Sequence, residues 1–369
     1  MSIFFRTLFQ DLPPAYAPLS AAPSGRNGDN NANVLISTND AELVRGLGGD
    51  DRLLGRGGND TLEGGADNDV LIGGAGGDRL DGGDGIDTAN YRHETSNVAI
   101  NTRNDQMLGA ASGDLLVSIE NLIGTNFGDS LIMGDGNNRI LGLGGDDFLD
   151  GGRGDDYLIG GAGADFMHGS VGIDTAGYRS SNAAVTIDLA ASISTGGHAE
   201  GDTHSSIHNL DGSLFGDALS GDLLDNRLRG FDGNDTLTGA EGVDRLIGGA
   251  GADQFVFTER ADHVANANPG NGIAGYAGAT RDVIVDFTRG EDQLVFNATE
   301  FTGAVVLTNK VSDLGLSSAS DSAFALSGSN LFYVRYDSQA DFDAGIAEVT
   351  HLAHLRGITA LDAADFLFV

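Results

Sequence analysis

A nine-residue repeat dominates this sequence and limits what the chain can fold into. Four clear copies read GGAGGDRLD at 73–81, GGRGDDYLI at 151–159, GGAGADFMH at 160–168 and GGAGADQFV at 248–256. Written as GGxGxDxUx, with U a large apolar residue, the same frame recurs in one phase. It forms three blocks of seven, six and five units, which span 28–90, 124–177 and 212–256. A fixed period of nine residues indicates a solenoid built from stacked turns.

Position six of the repeat is acidic in most units. It is aspartate in fourteen of the eighteen units, namely Asp51, Asp60, Asp69, Asp78, Asp87, Asp129, Asp147, Asp156, Asp165, Asp174, Asp217, Asp235, Asp244 and Asp253. Turn formation alone would accept asparagine or serine here as readily as aspartate. The preference for aspartate therefore indicates a need for charge. Units with another residue at position six are expected to form weak or empty sites, and these residues are Asn33, Glu42, Asn138 and Asn226.

The residue types of the repeat point to a hard divalent cation. Glycines permit positive φ, so six residues can turn sharply with carbonyl oxygens directed at one point. Carbonyl and carboxylate oxygens, six to eight in all, are the ligands of Ca²⁺, whereas Mg²⁺ prefers a tighter and more hydrated octahedron. The other three residues are expected to be extended, with the apolar residue of position eight pointing inward. The repeat thus predicts stacked turns with aliphatic side chains inside and calcium between turns.

This repeat resembles that of the RTX family, the secreted proteins with nonapeptide calcium repeats. The resemblance implies an all-β fold, a right-handed parallel β-roll with eighteen residues per coil. It also implies that each calcium ion takes a position-six aspartate and the carbonyl oxygens of positions one and three. Those carbonyls belong to Gly64, Gly73, Ala75, Gly82, Gly142, Gly144, Gly151, Arg153, Gly160, Ala162, Gly230, Gly239, Gly248 and Ala250. After allowance for weak units, we expect about eight to eleven calcium ions.

The composition is that of a glycine-rich polyanion. The 369 residues include 58 glycines, and 54 acidic against 20 basic side chains give a net charge of −34. This charge excludes nucleic acid as a partner, because phosphate binding needs lysine and arginine. The absence of cysteine excludes disulfides, thiolate metal sites and a cysteine nucleophile. No stretch approaches 18 uncharged apolar residues, so we expect no transmembrane segment.

The segments between the blocks are copies of one another. The motif Asp87-Thr-Ala-Asn-Tyr91 recurs 87 residues later as Asp174-Thr-Ala-Gly-Tyr178, and 113–131 matches 201–219 at eleven of nineteen positions. We therefore expect a calcium-binding β-roll over 28–256, interrupted by inserts at 91–123 and 178–211. Similar inserts occur in RTX modules attached to alginate epimerases and in large secreted adhesins.

Alternating apolar residues predict strands inside both inserts. They are Val98 and Ile100 in the first insert, and Val185, Ile187 and Leu189 in the second. The lengths of the inserts are not multiples of nine, so they should interrupt the calcium register while continuing the solenoid core.

The two ends of the chain differ from the repeats. Residues 1–27 carry an apolar stripe of helical spacing, expected either to cap the first coil or to dock another subunit. Residues 257–369 are expected to form a β-rich cap and type I secretion domain. The segments Asp282–Phe287 and Gly290–Leu294 resemble the capping pattern of the serralysin C-terminal domain. The final Asp365-Phe-Leu-Phe-Val369 resembles an uncleaved type I secretion signal, which implies the type I export machinery as a partner.

The sequence contains no recognisable catalytic constellation. The HExxH motif of zinc proteases, the GxSxG elbow and the alginate epimerase signature are missing, so we expect no enzyme. Three histidines cluster in the second insert, His198, His204 and His208. They form either a transition-metal site or, as we favour, a group of exposed loop side chains. His351 and His354 are expected on a helix, one turn apart.

These features predict a secreted calcium-binding structural or interaction protein. Like charges keep the calcium-free chain expanded, and extracellular calcium would stabilise the folded form by binding to it alone. Outside the cell the folded protein would assemble with itself or adhere to surface polysaccharide. The alternative is an accessory module or enzyme that acts on acidic, alginate-like extracellular polysaccharide.

Overall fold

In a computed structural model the chain is built almost entirely of β-strands. The structure describes residues 26–257, 264–267, 282–288, 291–296, 304–306, 322–327, 330–335, 347–355, 361 and 365–368. The predicted helical stripe within residues 1–27 therefore lies outside the described residues. Two compact units divide the chain, the first made of residues up to Tyr91 with 111–119, the second of 92–110 with 120 onward.

Numbered along the chain, the strands up to the end of the third block are β1 (Arg26–Asn27), β2 (Val34–Ile36), β3 (Leu43–Gly48), β4 (Arg52–Gly57), β5 (Thr61–Ala66), β6 (Val70–Ala75), β7 (Arg79–Asp84), β8 (Thr88–Asn90), β9 (Val98–Asn101), β10 (Gln106–Gly109), β11 (Leu115–Val117), β12 (Asn121–Ile123), β13 (Ser130–Ile132), β14 (Arg139–Gly144), β15 (Phe148–Arg153), β16 (Tyr157–Ala162), β17 (Phe166–Val171), β18 (Thr175–Gly177), β19 (Thr186–Asp188), β20 (Ile193–Thr195), β21 (Thr203–Ser205), β22 (Asn209–Asp211), β23 (Ala218–Ser220), β24 (Arg227–Asp232), β25 (Thr236–Thr238), β26 (Arg245–Ala250) and β27 (Gln254–Phe257). The later strands are β28 (Val264–Ala267), β29 (Asp282–Ile284), β30 (Gln293–Phe296), β31 (Ala304–Val306), β32 (Ser322–Ser327), β33 (Asn330–Arg335), β34 (Ala347–Leu355) and β35 (Phe366–Phe368). A short 3₁₀ turn covers Gly197–Ala199.

The first unit is a stack of two parallel sheets. Sheet 1 has the order β1-β3-β5-β7-β11, and sheet 2 has the order β2-β4-β6-β8. Successive strands of the chain lie in opposite sheets, so two nine-residue units complete one coil. Strand pairs accordingly join residues eighteen apart, as with Leu53 and Leu71. This arrangement is the parallel β-roll that the repeat predicts.

Position eight of each unit supplies the core, as predicted. Leu53, Leu62, Leu71 and Leu80 have 0% exposed surface, because strand alternation directs their side chains between the two sheets. Positions seven and nine on either side point outward. The stacked coils therefore share one hydrophobic strip. Each fully buried leucine in it contributes about 1.5–3 kcal/mol of transfer free energy.

The second unit has three sheets. Sheet 3 runs β12-β14-β16-β18-β22-β24-β26-β29-β34, sheet 4 runs β10-β9-β13-β15-β17-β21, and sheet 5 runs β20-β19-β23-β25-β27-β30-β35. The inserts supply the hairpins β9–β10 and β19–β20, which are antiparallel and form the edges of sheets 4 and 5. The strands predicted in the inserts are thus present.

Turns within the repeats are shorter than predicted. Strands such as Arg52–Gly57 continue from position seven through position three of the next unit, so the chain turns within positions four to six. Positions two and four both take positive φ, even at the non-glycine residues Leu47 and Arg56 (position two) and Asp67 (position four). Glycine predominates there because it adopts this conformation without steric cost.

The C-terminal residues continue the strands of the repeats. β29 pairs in parallel with β26, and β30 pairs in parallel with β27. The helix predicted around His351 and His354 is wrong, because both residues lie in β34, which pairs with β33 on one side. β-Branched Val349 and Thr350 favour this extended conformation. Among the described residues, no helix has the length and hydrophobicity that crossing a bilayer requires.

Candidate calcium sites

One carboxylate oxygen of each position-six aspartate binds the backbone of the preceding coil. The N–H of Asp51 donates to Oδ1 of Asp69 at 2.8 Å, and the N–H of Asp147 donates to Oδ1 of Asp165 at 2.9 Å. We call this series of bonds the position-six ladder. It also includes the Oδ1 atoms of Asp51, Asp60, Asp78, Asp87, Asp129, Asp147, Asp156, Asp174, Asp217, Asp235, Asp244 and Asp253.

The second carboxylate oxygen is buried without a hydrogen-bond donor in ten of these residues. Within the described part of the chain, no donor reaches Oδ2 of Asp51, Asp60, Asp69, Asp78, Asp147, Asp156, Asp165, Asp174, Asp235 or Asp244. These residues are at most 3% exposed. A buried carboxylate oxygen without a partner costs about 1–3 kcal/mol or more, so each position needs either a proton or a cation.

Carbonyl oxygens of the next coil converge on the same points. A methyl group at Gly142 would collide with Oδ2 of Asp147 and would lie 2.6 Å from the carbonyl oxygen of Gly160. The same crowding recurs at Gly64, with Asp69 and Gly82. Position one is therefore glycine because oxygen atoms occupy the space of a side chain. The carbonyl oxygens that lie in this way, beside the position-one glycine of the preceding coil, belong to Gly64, Gly73, Gly82, Gly142, Gly160, Gly230, Gly239 and Gly248.

The other predicted carbonyl ligands have different surroundings. The carbonyls of Arg153, Ala162 and Ala250 accept backbone N–H groups of the preceding coil at 2.7–2.8 Å. Each keeps a second lone pair that a cation can use. The carbonyl oxygen of Ala75 lies 3.6 Å from the point that a Cβ atom would occupy if Gly57 carried one. Gly144 lies in β14, which pairs with β16, and Gly151 lies in β15, which pairs with β17.

Burial raises the pKa of the ladder aspartates far above their ordinary value of 3.8. It raises the pKa of Asp147 to about 8, with further contributions from the neighbouring carboxylates of Asp165 and Asp129. Burial and the carboxylate of Asp282 together raise the pKa of Asp244 to about 8. The pKa reaches about 7 for Asp69, Asp156, Asp165 and Asp235 for the same reason. A divalent cation would reverse this cost by compensating the charges.

Each site would take one carboxylate from one unit and carbonyl oxygens from two coils. This donor set consists of carboxylate and backbone carbonyl oxygens, which are the ligands that Ca²⁺ takes in proteins. In the described residues, no group of three His, Asp or Glu side chains forms a metal cluster. That result agrees with sites in which backbone carbonyls are most of the ligands. His198, His204 and His208 accordingly do not form a group of this kind.

The expectation that these three histidines are exposed in loops is also wrong. All three are half-buried, and His204 lies in strand β21. Nε2 of His204 lies 2.8 Å from the Tyr178 hydroxyl, and Nδ1 lies 3.2 Å from Oγ of Ser194. Burial lowers the pKa of His204 to about 4, so its ring is neutral. It belongs to a buried polar network, which alternating residue types alone do not reveal.

Two of the units that lack aspartate at position six also lack glycine at position one. The carboxylate of Glu42 accepts from the N–H and hydroxyl of Thr38 and pairs with Arg26 at 3.4 Å. In the same unit Ser37 stands at position one, and its hydroxyl donates to the carbonyl of Gly55. The Asn138 unit has buried Met133 at position one. A side chain thus occupies the space that glycine leaves open elsewhere.

Four aspartates outside the predicted set extend the position-six ladder. The backbone N–H groups of Asp78, Asp165, Asp244 and Asp253 donate to the Oδ1 atoms of Asp114, Asp202, Asp282 and Asp292 at 2.8–3.0 Å. None of the four stands in a GGxGxD context. Asp114 and Asp202 could have been found from the match between 113–131 and 201–219, where both follow a glycine.

Two predicted ligands have both oxygens occupied. Oδ2 of Asp129 accepts the N–H of Thr125, and Oδ2 of Asp217 accepts the N–H of Ser213, both at 2.6 Å. Each of these aspartates lies in the first coil after an insert. They close their own turn instead of presenting an oxygen to the next coil.

Position five forms a second ladder, on the exposed side of the turns. Oδ1 of Asp155 accepts the N–H of Ile173 at 2.9 Å, and Oδ1 of Asn68 accepts the N–H of Ile86 at 2.9 Å. The same bond is made by Asp50, Asn59, Asn137, Asp146, Asp225 and Asn234. The frequency of Asp and Asn at position five is the sequence signal for this ladder.

These geometric features coincide with a known repeat family. Residues 27–62, 36–71, 54–89, 123–158, 141–176 and 220–255 match the model of the RTX calcium-binding nonapeptide repeat. The chain contains RTX calcium-binding repeats. Calcium is accordingly their metal, and the oxygen cradles between coils provide for it.

Solved structures with similarity to this chain include two repeat modules and an enzyme. The solution structure of the AlgE6R2 subunit from the Azotobacter vinelandii mannuronan C5-epimerase is 29% identical, covering 44% of this chain and 91% of that chain, with a TM-score of 0.27. The AlgE6R3 subunit of the same enzyme is 27% identical, covering 43% and 77%, with a TM-score of 0.28. The extracellular lipase LipA from Serratia marcescens is 14% identical, covering 92% and 40%, with a TM-score of 0.18. No curated protein matches this chain.

Proposed function

We propose that this chain is a secreted structural protein that folds when it meets extracellular calcium. The observation that carries the proposal is the row of buried Oδ2 atoms that no donor in the described residues reaches. In the unfolded chain, water solvates these oxygens. In the roll they face carbonyl oxygens instead. Folding without calcium therefore brings together atoms that repel one another.

Calcium makes the folded state favourable through two effects. About ten Ca²⁺ ions would add roughly +20 to a chain of net charge −34, which removes most of its self-repulsion. Each site that binds only the folded chain stabilises it by about 2.7 kcal/mol at a hundredfold excess over Kd. Several such sites exceed the total stability of a typical domain. The expanded, calcium-free chain is also the form that suits passage through the type I export machinery.

Circular dichroism tests this proposal directly. The purified chain should give a coil spectrum in chelator and a β spectrum in millimolar calcium, with reversal when chelator is added. Magnesium at the same ionic strength is the control, and it should not produce the β spectrum. A chain that is fully folded in chelator would refute calcium-dependent folding.

Outside the cell, we propose a structural rather than a catalytic role, with assembly or adhesion as its outcome. Exposed apolar side chains on the turns of the second unit support association, since Val171, Ile173 and Leu223 are 58–69% exposed. Electron microscopy with and without calcium tests this role. Ordered polymers only in calcium would support it, and a monodisperse monomer at high concentration would contradict self-assembly.

One observation favours binding of acidic polysaccharide as a second candidate function. On sheet 3, the paired strands place Arg139, Tyr157, Thr175, Asn209, Arg227 and Arg245 in one row. Thr175 and Asn209 are buried in this row, and Arg245 is exposed. At the strand spacing of about 4.8 Å, this row is about 24 Å long. A concentration of arginines is unusual in so acidic a chain, and guanidinium groups bind carboxylates with paired hydrogen bonds.

Aromatic rings and a buried aspartate organise these arginines. Arg139 stacks on the ring of Tyr157 at 4.7 Å, and Arg179 and Arg229 stack on the ring of Phe231 at 4.6 and 4.7 Å. Asp211 is 3% exposed in its side chain, pairs with Arg229 and accepts the Tyr157 hydroxyl at 3.0 Å. These contacts fix the guanidinium groups on the sheet, where they would pair with the carboxylates of a polymer of uronic acids.

Affinity measurements on alginate oligomers in calcium test this second candidate. Arg179→Gln and Arg245→Gln should together weaken binding at least tenfold and reduce its dependence on salt. The matched control is Arg153→Gln, because Arg153 lies on sheet 4 and is 75% exposed in its side chain. Equal weakening by all three substitutions would show non-specific charge attraction and contradict a binding face on sheet 3.

A further inference from the structure

Each insert brings a tyrosine hydroxyl onto a carboxylate of the position-six ladder. The hydroxyl of Tyr178 donates to Oδ2 of Asp202 at 2.8 Å, and that of Tyr91 donates to Oδ2 of Asp114 at 2.9 Å. The Oδ1 atoms of both aspartates accept a backbone N–H from the preceding coil, as elsewhere in the ladder. Both oxygens of each carboxylate are therefore hydrogen-bonded.

The tyrosines stand at position one of a repeat unit. Tyr178 directly follows Gly177, the ninth residue of its repeat unit, and Asp202 then holds position six, because Thr203 pairs with Phe166 as a position-seven residue does. The second insert thus lies between positions one and six of a single unit. In ordinary units the position-one glycine leaves open space beside Oδ2 of position six, as Gly160 does beside Asp165.

We propose that Tyr91 and Tyr178 replace calcium in these two units. A phenol ring at position one fills the space where oxygen ligands converge in the other units. Its hydroxyl donates the hydrogen bond that Oδ2 needs in place of a cation. Both rings are nearly inaccessible, with 3% of Tyr91 and 2% of Tyr178 exposed. The inference rests on the proposed calcium-dependent function and specifies which coils need no ion.

In the second insert, a histidine makes a further hydrogen bond to the tyrosine hydroxyl. Since the single proton of Tyr178 is donated to Asp202, the hydroxyl oxygen accepts from Nε2 of His204. Nδ1 of that ring then accepts from Ser194. In the first copy Leu116 pairs with Leu80, just as His204 pairs with Met167 one insert later. The tyrosine–aspartate pair is therefore common to both copies, whereas the histidine is an addition.

The consequence is that calcium binds in separate runs of coils. In the second unit, one run on this side ends at Asp165, whose Oδ2 has no donor among the described residues, and the next coil carries the Tyr178–Asp202 pair. On the opposite side the last aspartate before the insert is Asp174, and the carbonyl of Ser206 converges with it at Gly169. Ser206 has a φ of 54°, which turns its carbonyl toward the site. An insert therefore removes a metal site on one side of the roll only.

The test counts calcium ions bound to the folded full-length chain by equilibrium dialysis. Asp202→Asn should leave the count unchanged, because its carboxylate binds no ion, whereas the matched variant Asp165→Asn should lose at least one. Loss of an ion from Asp202→Asn as well would overturn the inference. A wild-type chain that binds no calcium would instead contradict the proposed function, so the two failures are distinguishable.

A second variant keeps the test decisive if Asp202→Asn does not fold. Tyr178→Phe keeps the ring and removes only the hydroxyl, with Tyr157→Phe as a control outside the ladder. The calcium count of Tyr178→Phe should stay the same or rise by one, since Oδ2 of Asp202 becomes available. A lower count would show that the hydroxyl is itself a ligand, and this would overturn the inference.

Discussion

The backbone N–H of Asp147 donates to Oδ1 of Asp165, eighteen residues further along, at 2.9 Å. This bond fixes the carboxylate of Asp165 so that its other oxygen points into the gap between two coils. There Oδ2 lies beside Gly160 and has no donor among the described residues. The hydrogen bond thus holds one coil to the next and at the same time prepares the calcium ligand.

Removing one ladder carboxylate should weaken folding only when calcium is present. We expect Asp147→Asn to lower the free energy of unfolding by about 2.7 kcal/mol at a hundredfold excess of calcium over Kd, the contribution of one site. Urea titrations in calcium measure this loss. The control is Asp146→Asn, because exposed Asp146 needs only an acceptor oxygen for the N–H of Ala164. An equal loss in both variants would contradict a specific role for position six.

A methyl group added at position one should disrupt a calcium site, whereas a methyl group added at position three should be tolerated. Gly142→Ala places its Cβ against Oδ2 of Asp147 and the carbonyl of Gly160, and we expect a cost of about 1–3 kcal/mol with the loss of an ion. In Gly144→Ala the Cβ meets the carbonyl of Ala162 at 3.6 Å, an ordinary contact. Thermal unfolding in calcium should separate the two variants. Comparable unfolding temperatures would show that the cradle does not exist.

The position-five ladder should stabilise the roll without affecting calcium. Asp155→Ala removes the acceptor for the N–H of Ile173, at an expected cost of about 0.5–1.5 kcal/mol for one hydrogen bond. Asp155→Asn keeps an acceptor oxygen and should stay close to wild type. The calcium count should be the same in both. If Asp155→Ala lost an ion, position five would have to be counted among the ligands.

Acid should stabilise the calcium-free roll. Burial raises the pKa of Asp156 and Asp165 to about 7 and of Asp147 to about 8, so the folded chain binds more protons than the unfolded chain between about pH 4 and 8. Stability then falls as pH rises through this window, because the slope follows the difference in bound protons. Circular dichroism in chelator should show more β-structure at pH 5 than at pH 8.

The opposite pH dependence is expected once calcium is present. Calcium competes with protons for the same carboxylates, so the calcium concentration needed for folding should decrease from pH 5 to pH 8. If the calcium-free chain in chelator gained β-structure as the pH rises, this result would contradict the buried, protonated state of the ladder aspartates.

Much of the fold could be predicted because the period is strict. A large apolar residue at position eight of the units, such as Leu53, predicts both the strands and the buried side, and the resemblance to the RTX family implies eighteen residues per coil. The turn length could not be read in the same way. Positions one to three are mostly small residues, and only their pairing with the next coil makes them strand.

The limits of the site prediction have equally physical causes. Asp129 matches the repeat, but the insert before it changes its neighbour, so its Oδ2 accepts the N–H of Thr125. Asp202 does not match the repeat, because the residues of the insert separate it from position one. The apolar neighbours of His351 predict a helix, but pairing with Phe332 makes it strand. A contact distant in sequence thus decides the outcome for His351, and the adjoining insert decides it for Asp129 and Asp202.

The central claim is that calcium between the coils, held by position-six carboxylates, maintains the fold. Equilibrium dialysis combined with circular dichroism on the same samples measures both quantities at once. We predict about eight to eleven ions bound per chain, with the β signal rising together with occupancy and vanishing in chelator. A chain that reaches its full β signal with no calcium bound, or that binds calcium while remaining unfolded, would contradict the claim.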